Sequence, residues 1–300
     1  MSIVINKLES YIKDMLLVQA ELNAKTNGEN YISSEPRTNK GKFIYYPICM
    51  KMEASELLDS LPWKHWKYKE TEYDIPNIKI ELIDILHFAL SIHLDHFARM
   101  IQPDSNLLAD KTVKEYAVEL VEYLKSPKPN NVMYKNTLYE YLATNVNENL
   151  KNDFENIKNK GMEPYIGFMH YTDKLMQFKV IPNVSCIREL YEIILTMYGL
   201  TKMIESNPSE PIELWSYLGE IYNLYKAKLA LNKLRQNYGY NSGEYIKMWN
   251  INGVVSEDNQ YIHNLISNNK IYVTGFDYYK LLKAEYENQL KLQGQENDKN

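Results

Sequence analysis

Asn77-Ile78-Lys79-Ile80-Glu81-Leu82-Ile83-Asp84-Ile85-Leu86-His87-Phe88-Ala89-Leu90-Ser91-Ile92 is the stretch whose reading decides the fold. From Ile78 to Ile101 the residues are apolar on almost every side of a helix, which is the pattern of a helix buried all round. Yet Glu81, Asp84, His87 and Ser91 recur at spacings of three and four and form one polar stripe. A buried carboxylate without a partner is strongly destabilising or takes up a proton, so this stripe has to face something. A second acidic pair, Glu53 and Glu56, has the same i, i+3 spacing on a helix predicted to resume near Ile48 and to stop at Pro62. Four carboxylates turned toward one another have a common solution, a divalent cation. A ligand set made only of oxygen suits a hard ion, Mg2+ or Mn2+. Glu53-x-x-Glu56 alone is the commonplace of a solvated helix face. Glu81-x-x-Asp84 is harder to solvate, because its neighbours cannot all meet water.

Working outward, 300 residues are ample for a large core in one or two domains. The chain is 45% hydrophobic and 24% charged, and eleven Gly with eleven Pro are few for this length, which favours an all-α globular fold over a turn-rich β fold. A net charge of −5 provides no basic field for nucleic acid, so an anionic substrate needs local Lys or Arg, or a metal bridge. No apolar run reaches membrane-spanning length, and Lys7, Glu9, Lys13 and Asp14 interrupt any signal-peptide core. Cys49 and Cys186 make neither a disulfide framework nor a zinc spacing, which fits a cytoplasmic location. Gly-rich phosphate loops and a Gly-x-Ser-x-Gly nucleophile motif do not occur, so phosphates are expected to be held by metal and side chains.

Along the chain, Ile5 to about Asn23 reads as an amphipathic helix with Ile5, Leu8, Ile12 and Met15/Leu16 on its apolar stripe. Gln19 and Asn23 continue that stripe. Such amides either serve a nucleobase edge, with donor and acceptor together, or belong to a frayed helix end before Gly28. Residues 27–47 read as loop. Trp63 and Trp66 either form a stacking platform or plug a helix end. Asn77 is the expected N-cap of the long helix. Glu189 and Glu192 form a third acidic pair, either metal-related or a solvated face. Residues 102–183 read as an insert or mobile subdomain of short helices broken by Pro127 and Pro129, on a core formed by 1–101 and 184–265. Helix is expected from Ile212 to Tyr238 and from Tyr278 to Leu292, the latter in a C-terminal segment, 266–300, ending in a disordered tail from Gly294. Arg235 and Lys247 are either phosphate ligands or solvated charges.

Several of these stretches together resemble the dimeric all-α dUTPase family, within the wider MazG-like nucleotide pyrophosphatases. They are Gln19-Ala-Glu-Leu-Asn23, Met52-Glu53-Ala-Ser-Glu56, Pro62-Trp63-Lys64-His65-Trp66, Asn77 to Phe88, and the block Asn232-Lys233-Leu234-Arg235, Gly239-Tyr240, Tyr245 to Trp249 and Glu257 to Asn259. The resemblance covers 13–97 and 229–259; residues 102–182 match nothing in it, and the segment from Trp249 to Glu257 is longer than the family pattern. It implies an all-α homodimer with a four-helix metal-binding core, hydrolysing dUTP, and dUDP as well, to dUMP and so limiting uracil in DNA. It implies Mg2+ on Glu53, Glu56, Glu81 and Asp84, with Glu53 as the base, and uracil held by Gln19, Asn23, Trp66, His87 and Phe88. Asn232, Arg235, Tyr240 and Lys247 would take the phosphates. A related pyrophosphatase for another base such as dCTP would share the acids and differ only in its pocket. A carboxylate-bridged di-metal helical protein would need a second Asp/Glu-x-x-His like Asp84-x-x-His87, which His65, His93, His96, His170 and His263 do not supply. A non-enzymatic helical adaptor would bind no metal.

Overall fold

The computed structural model describes residues 2–66, 72–125, 132–179, 184–267 and 277–297. It is all-α apart from one small hairpin. Packing divides the chain into two compact units, Met1–Leu218 and Gly219–Asn300. The first contains helices α1 (Ser2–Asn27), α2 (Tyr46–Asp59), α3 (Ile75–Ile101), α4 (Val113–Lys125), α5 (Val132–Lys160), α6 (Pro164–Gln177) and α7 (Val184–Ser206).

The quoted stretch is α3, and its burial organises this unit: α1, α2, α4 and α7 all pack on it. Ile78, Leu82, Ile85, Leu90, Leu94 and Ala98 have no appreciable exposure. Its start differs from the expected one. Asp74 is the N-cap, its carboxylate accepting from the Asn77 backbone N–H at 3.1 Å, and Pro76 sits in the first turn, where no N–H is needed. Asn77 instead donates its side-chain amide to Ser60 Oγ at 2.8 Å, tying α3 to the end of α2. Near the same end, Lys79 is buried and its Nζ reaches both Glu205 oxygens on α7, at 2.9 and 3.0 Å. About two-thirds of the way along, buried His93 meets the Tyr191 hydroxyl of α7 at 3.0 Å.

Helix α1 runs one turn further than the pattern suggested and stops at Gly28, whose φ of +107° is a left-handed conformation that favours glycine. A Cβ there would lie 2.2 Å from Asn39 Oδ1. This turn sends the chain back so that buried Tyr31 lies beside α1. The region read as short helices contains α5, 29 residues long, because no Gly or Pro interrupts 132–160. Pro127, Pro129 and Pro182 lie outside the described residues. Gly199 lets α5 approach α7 closely: a Cβ there would meet Leu150 Cδ2 at 2.5 Å and the Tyr217 hydroxyl at 2.9 Å.

The second unit holds α8 (Leu218–Asn237) from Gly219 onward, strands β1 (Met248–Ile251) and β2 (Val254–Glu257), α9 (Asp258–Ser267) and α10 (Tyr278–Asn297). Helix α8 starts later than expected, after a short 3-10 turn at Leu214–Ser216. The strands pair antiparallel, Ile251 opposite Val254, so the loop is Asn252-Gly253, with φ of 53° and 86°. Both positive values fit the tight hairpin turn that Asn-Gly favours, and this hairpin accounts for the length between Trp249 and Glu257. Fully buried Trp249 packs on Tyr261 and Tyr286, and the Gln289 amide pairs with the Asn250 backbone, accepting from N–H at 2.7 Å and donating to C=O at 3.1 Å. Helix continues to Asn297, where a disordered tail was expected from Gly294; 298–300 lie outside the described residues. No described helix is long and apolar enough to cross a membrane.

Two stability measurements follow from this packing. Burial pushes the His93 pKa down to about 3, from an ordinary value of 6.5, with nearby His96 adding to the effect. The native state therefore excludes a proton that the unfolded chain takes up, so this contribution is complete above about 6.5 and is lost as pH falls toward 3. Between pH 7 and 5, wild type should lose about 1–2 kcal/mol more than His93→Gln in urea titrations; equal losses would show that His93 is not the group responsible. Gly199→Ala should cost about 1–3 kcal/mol by overpacking against Leu150, and an unchanged urea midpoint would mean that the α5–α7 contact yields freely.

Candidate active site

The α2–α3 contact brings three of the predicted acids together. One carboxylate oxygen from each of Glu53, Glu81 and Asp84 can be chosen so that all lie within 4.8 Å of one another. Glu81 is 6% exposed, while Glu53 and Asp84 are partly buried. Glu56 is exposed and is not part of this group. The same i, i+3 spacing keeps Glu81 and Asp84 together on α3, so what separates Glu56 from Glu53 is the way α2 lies on α3, with Glu56 on the exposed side. Cys49 lies one turn before Glu53, and its thiol is pushed up by burial and then by the Glu53 charge.

Next along the α3 stripe lies a buried polar network. Gln19 and Asn23, 3% and 4% exposed, come from α1, and His87 and Ser91 from α3. Gln19 Oε1 accepts from His87 Nδ1 at 2.7 Å; Gln19 Nε2 donates to Asn23 Oδ1 at 2.9 Å and to Ser91 Oγ at 3.2 Å. Asn23 Nδ2 donates to Ser91 Oγ at 3.0 Å and to the Tyr31 hydroxyl at 3.2 Å. Tyr31 in turn donates to Asp95 Oδ1 at 3.1 Å. The amides are therefore part of a built, buried system, which excludes the frayed-end alternative. Burial pushes the Asp95 carboxyl up to about 7, against the opposing pull of Arg99 and the Tyr31 hydrogen bond. Burial, with the Asp95 charge next, also drives the Tyr31 and Tyr46 hydroxyls well above the usual tyrosine range. Tyr46 stands edge-on to Tyr31 at 6.1 Å and is tilted against Phe88 at 6.2 Å.

Tyr31, Tyr46 and Asp95 were not among the residues singled out from sequence. Asp95 continues the stripe four residues after Ser91, and that spacing is the signal that could have found it. The two tryptophans differ in setting. Trp63 plugs the end of α2, donating Nε1–H to Leu58 O at 2.7 Å, whereas Trp66 is 62% exposed and stands edge-on to it. Of the third acidic pair, Glu192 accepts from Tyr141 at 2.5 Å and from Asn149 at 2.8 Å.

Asn232, Arg235, Tyr240 and Lys247 belong to the second unit. Arg235 holds fully buried Asp258 in a bidentate pair, Nε to Oδ2 at 2.8 Å and Nη2 to Oδ1 at 2.6 Å. Its Nη1 reaches Asn232 Oδ1 at 3.5 Å, and its guanidinium lies 5.5 Å from the Tyr240 ring. Tyr245 donates to Asp258 Oδ2 at 2.9 Å. Lys247 pairs with Glu257 at 2.9 Å.

The chain matches a family model described as dUTPase over residues 11–240. The matched span holds the acidic group, the buried amides and the segment 102–183 that the motifs left unassigned, and it stops short of Lys247. No curated protein matches the chain. With most of its length matched and an all-α fold around the buried acids, the chain belongs to the dUTPase family and is a hydrolase acting on dUTP.

Proposed function

We propose that the chain hydrolyses dUTP, and dUDP as well, to dUMP with Mg2+, as a homodimer in a reducing cytoplasm, and so limits uracil in DNA. The observation that carries the metal assignment is the convergence of Glu53, Glu81 and Asp84 from two packed helices. Carboxylate oxygens alone suit a hard divalent cation, and the burial of Glu81 gives that cation a role in stability as well as in chemistry. Glu53, Glu81 and Asp84 would hold the ion, and Glu56, on the same helix as Glu53, would complete the set. When bound, Mg2+ neutralises phosphate charge and acidifies water. Glu53 is the base: it accepts the proton of the attacking water as the phosphoanhydride bond breaks and pyrophosphate leaves from dUTP, or phosphate from dUDP.

Gln19, Asn23, His87 and Phe88 would meet the uracil ring, with Trp66 at the surface. Support comes from the buried donor and acceptor network on one side and the Tyr46–Phe88 aromatic contact on the other. Phosphate contacts by Asn232, Arg235, Tyr240 and Lys247 belong to the same proposal; the Asp258 pair fixes the Arg235 fork in one orientation.

Release of pyrophosphate from dUTP, dCTP, dTTP and UTP and of inorganic phosphate from dUDP, measured with Mg2+ and repeated with EDTA, tests this. Cleavage that is confined to deoxyuridine nucleotides and lost with EDTA is expected, whereas turnover that survives EDTA would remove the metal. Glu53→Gln should reduce kcat at least about 100-fold while the circular dichroism spectrum is unchanged. A variant with wild-type kcat would remove Glu53 from the role of base.

A further inference from the structure

The network has a direction, and one group sets it. We propose that the Asp95 carboxylate, acting through Tyr31, orients both buried amides and holds His87 as the tautomer protonated on Nδ1. The inference deepens the proposed base recognition, on which its specificity consequence rests.

An ionised carboxylate can only accept hydrogen bonds. Tyr31, 3.1 Å from Asp95 Oδ1, must therefore point its proton at Asp95 and offer its oxygen lone pair elsewhere. Two groups face that oxygen, the Tyr46 hydroxyl and, 3.2 Å away, the Asn23 amide, which must present its NH2 side. That turns the Asn23 carbonyl toward Gln19, which must then present its own NH2 at 2.9 Å. The Gln19 carbonyl is left for the His87 ring, and at 2.7 Å only a protonated Nδ1 can meet it. Ser91 reinforces the same direction. Its hydroxyl has two acceptors within reach, His87 O at 3.0 Å and the Asn23 carbonyl at 3.3 Å, and donation to either leaves its lone pairs to the two amide NH2 groups.

The reversed chain would start with a lone pair of Nδ1 and end with a Tyr31 lone pair aimed at a negative oxygen, so it is disfavoured while Asp95 is ionised. The charged and titratable groups acting on Asp95 are Arg99 and Tyr31, and the Asp95 charge is in turn felt at Tyr46. With the Asp95 pKa near 7, the carboxylate form prevails at pH 8. Tyr31 and Asp95 are thus positioning residues: their effect reaches the base only through Asn23, Gln19 and His87.

A neutral His87 protonated on Nδ1 carries its remaining lone pair on Nε2. Where His87 meets the base, that lone pair accepts the N3–H of uracil. Cytosine has a lone pair at N3 and no such donor, so the imposed tautomer would discriminate against dCTP.

The test is NMR of protein labelled with 15N-histidine at pH 8, with the His87 signals assigned by their absence in His87→Asn. Wild type should show an Nδ1–H, Nε2-lone-pair imidazole, and the opposite tautomer would overturn the proposal without any variant being needed. Asp95→Asn offers a donor as well as an acceptor, and Tyr31→Phe breaks the chain, so each should give a mixture of tautomers. An unchanged His87 in both folded variants also overturns the proposal. The kcat/KM preference for dUTP over dCTP should fall about tenfold in the same variants, mostly through KM for dUTP. If the tautomer moves while that preference stays, the relay stands and base reading by His87 falls.

Discussion

A carboxylate inside an apolar helix has to be met by something. Helix α3 is buried by α1, α2, α4 and α7, and in that setting Glu81 can neither reach bulk water nor sit ionised alone. The rest of the first unit is arranged around this constraint. The packing of α2 on α3 brings Glu53 to Glu81 and Asp84, and α1 covers the next part of the stripe with two amides instead of more leucine. The three-carboxylate group and the buried amide network thus occupy successive turns of one helix. Their polar residues are placed where the bundle would otherwise be driest, and they meet partners on neighbouring elements.

How much of this was legible depends on whether the partners are close in sequence. The α3 stripe and the apolar face of α1 follow from helical periodicity, and they led correctly to an all-α fold. Periodicity also showed that Gln19 and Asn23 lie on a buried face. It could not show which side of α2 faces α3, and only Glu53 of its acidic pair joins the three-carboxylate group. Tyr31 was out of reach for a different reason: it sits past a glycine turn, in a chain with 26 tyrosines, and nothing local distinguishes it. Asp95 stood in plain view at the next step of the stripe.

The second unit teaches the complementary lesson. Arg235 in the sequence is one of several cations late in a helix, after Lys226, Lys228 and Lys233, and its charge invites a phosphate. In the structure that charge is balanced by Asp258, 23 residues further on, buried and also bonded to Tyr245. No spacing rule connects those three residues, because a hairpin lies between them. The hairpin itself had a sequence signal, Asn252-Gly253. Its flanks, Met-Trp-Asn-Ile and Val-Val-Ser-Glu, lack the clean alternation that would have made the signal stand out.

The anchoring of α3 has a mechanical consequence. The helix is capped by Asp74, braced near its start by the Lys79–Glu205 ion pair and held about two-thirds of the way along by the His93–Tyr191 contact, so Glu81 and Asp84 project from a beam fixed on both sides of them. Glu53 projects from α2, a helix about half as long that rests on α3 and α6. The three carboxylates therefore behave as a vice with one stationary jaw. In the proposed metal site, adjusting the gap to a smaller or larger ion would fall to α2 and with it to Glu53.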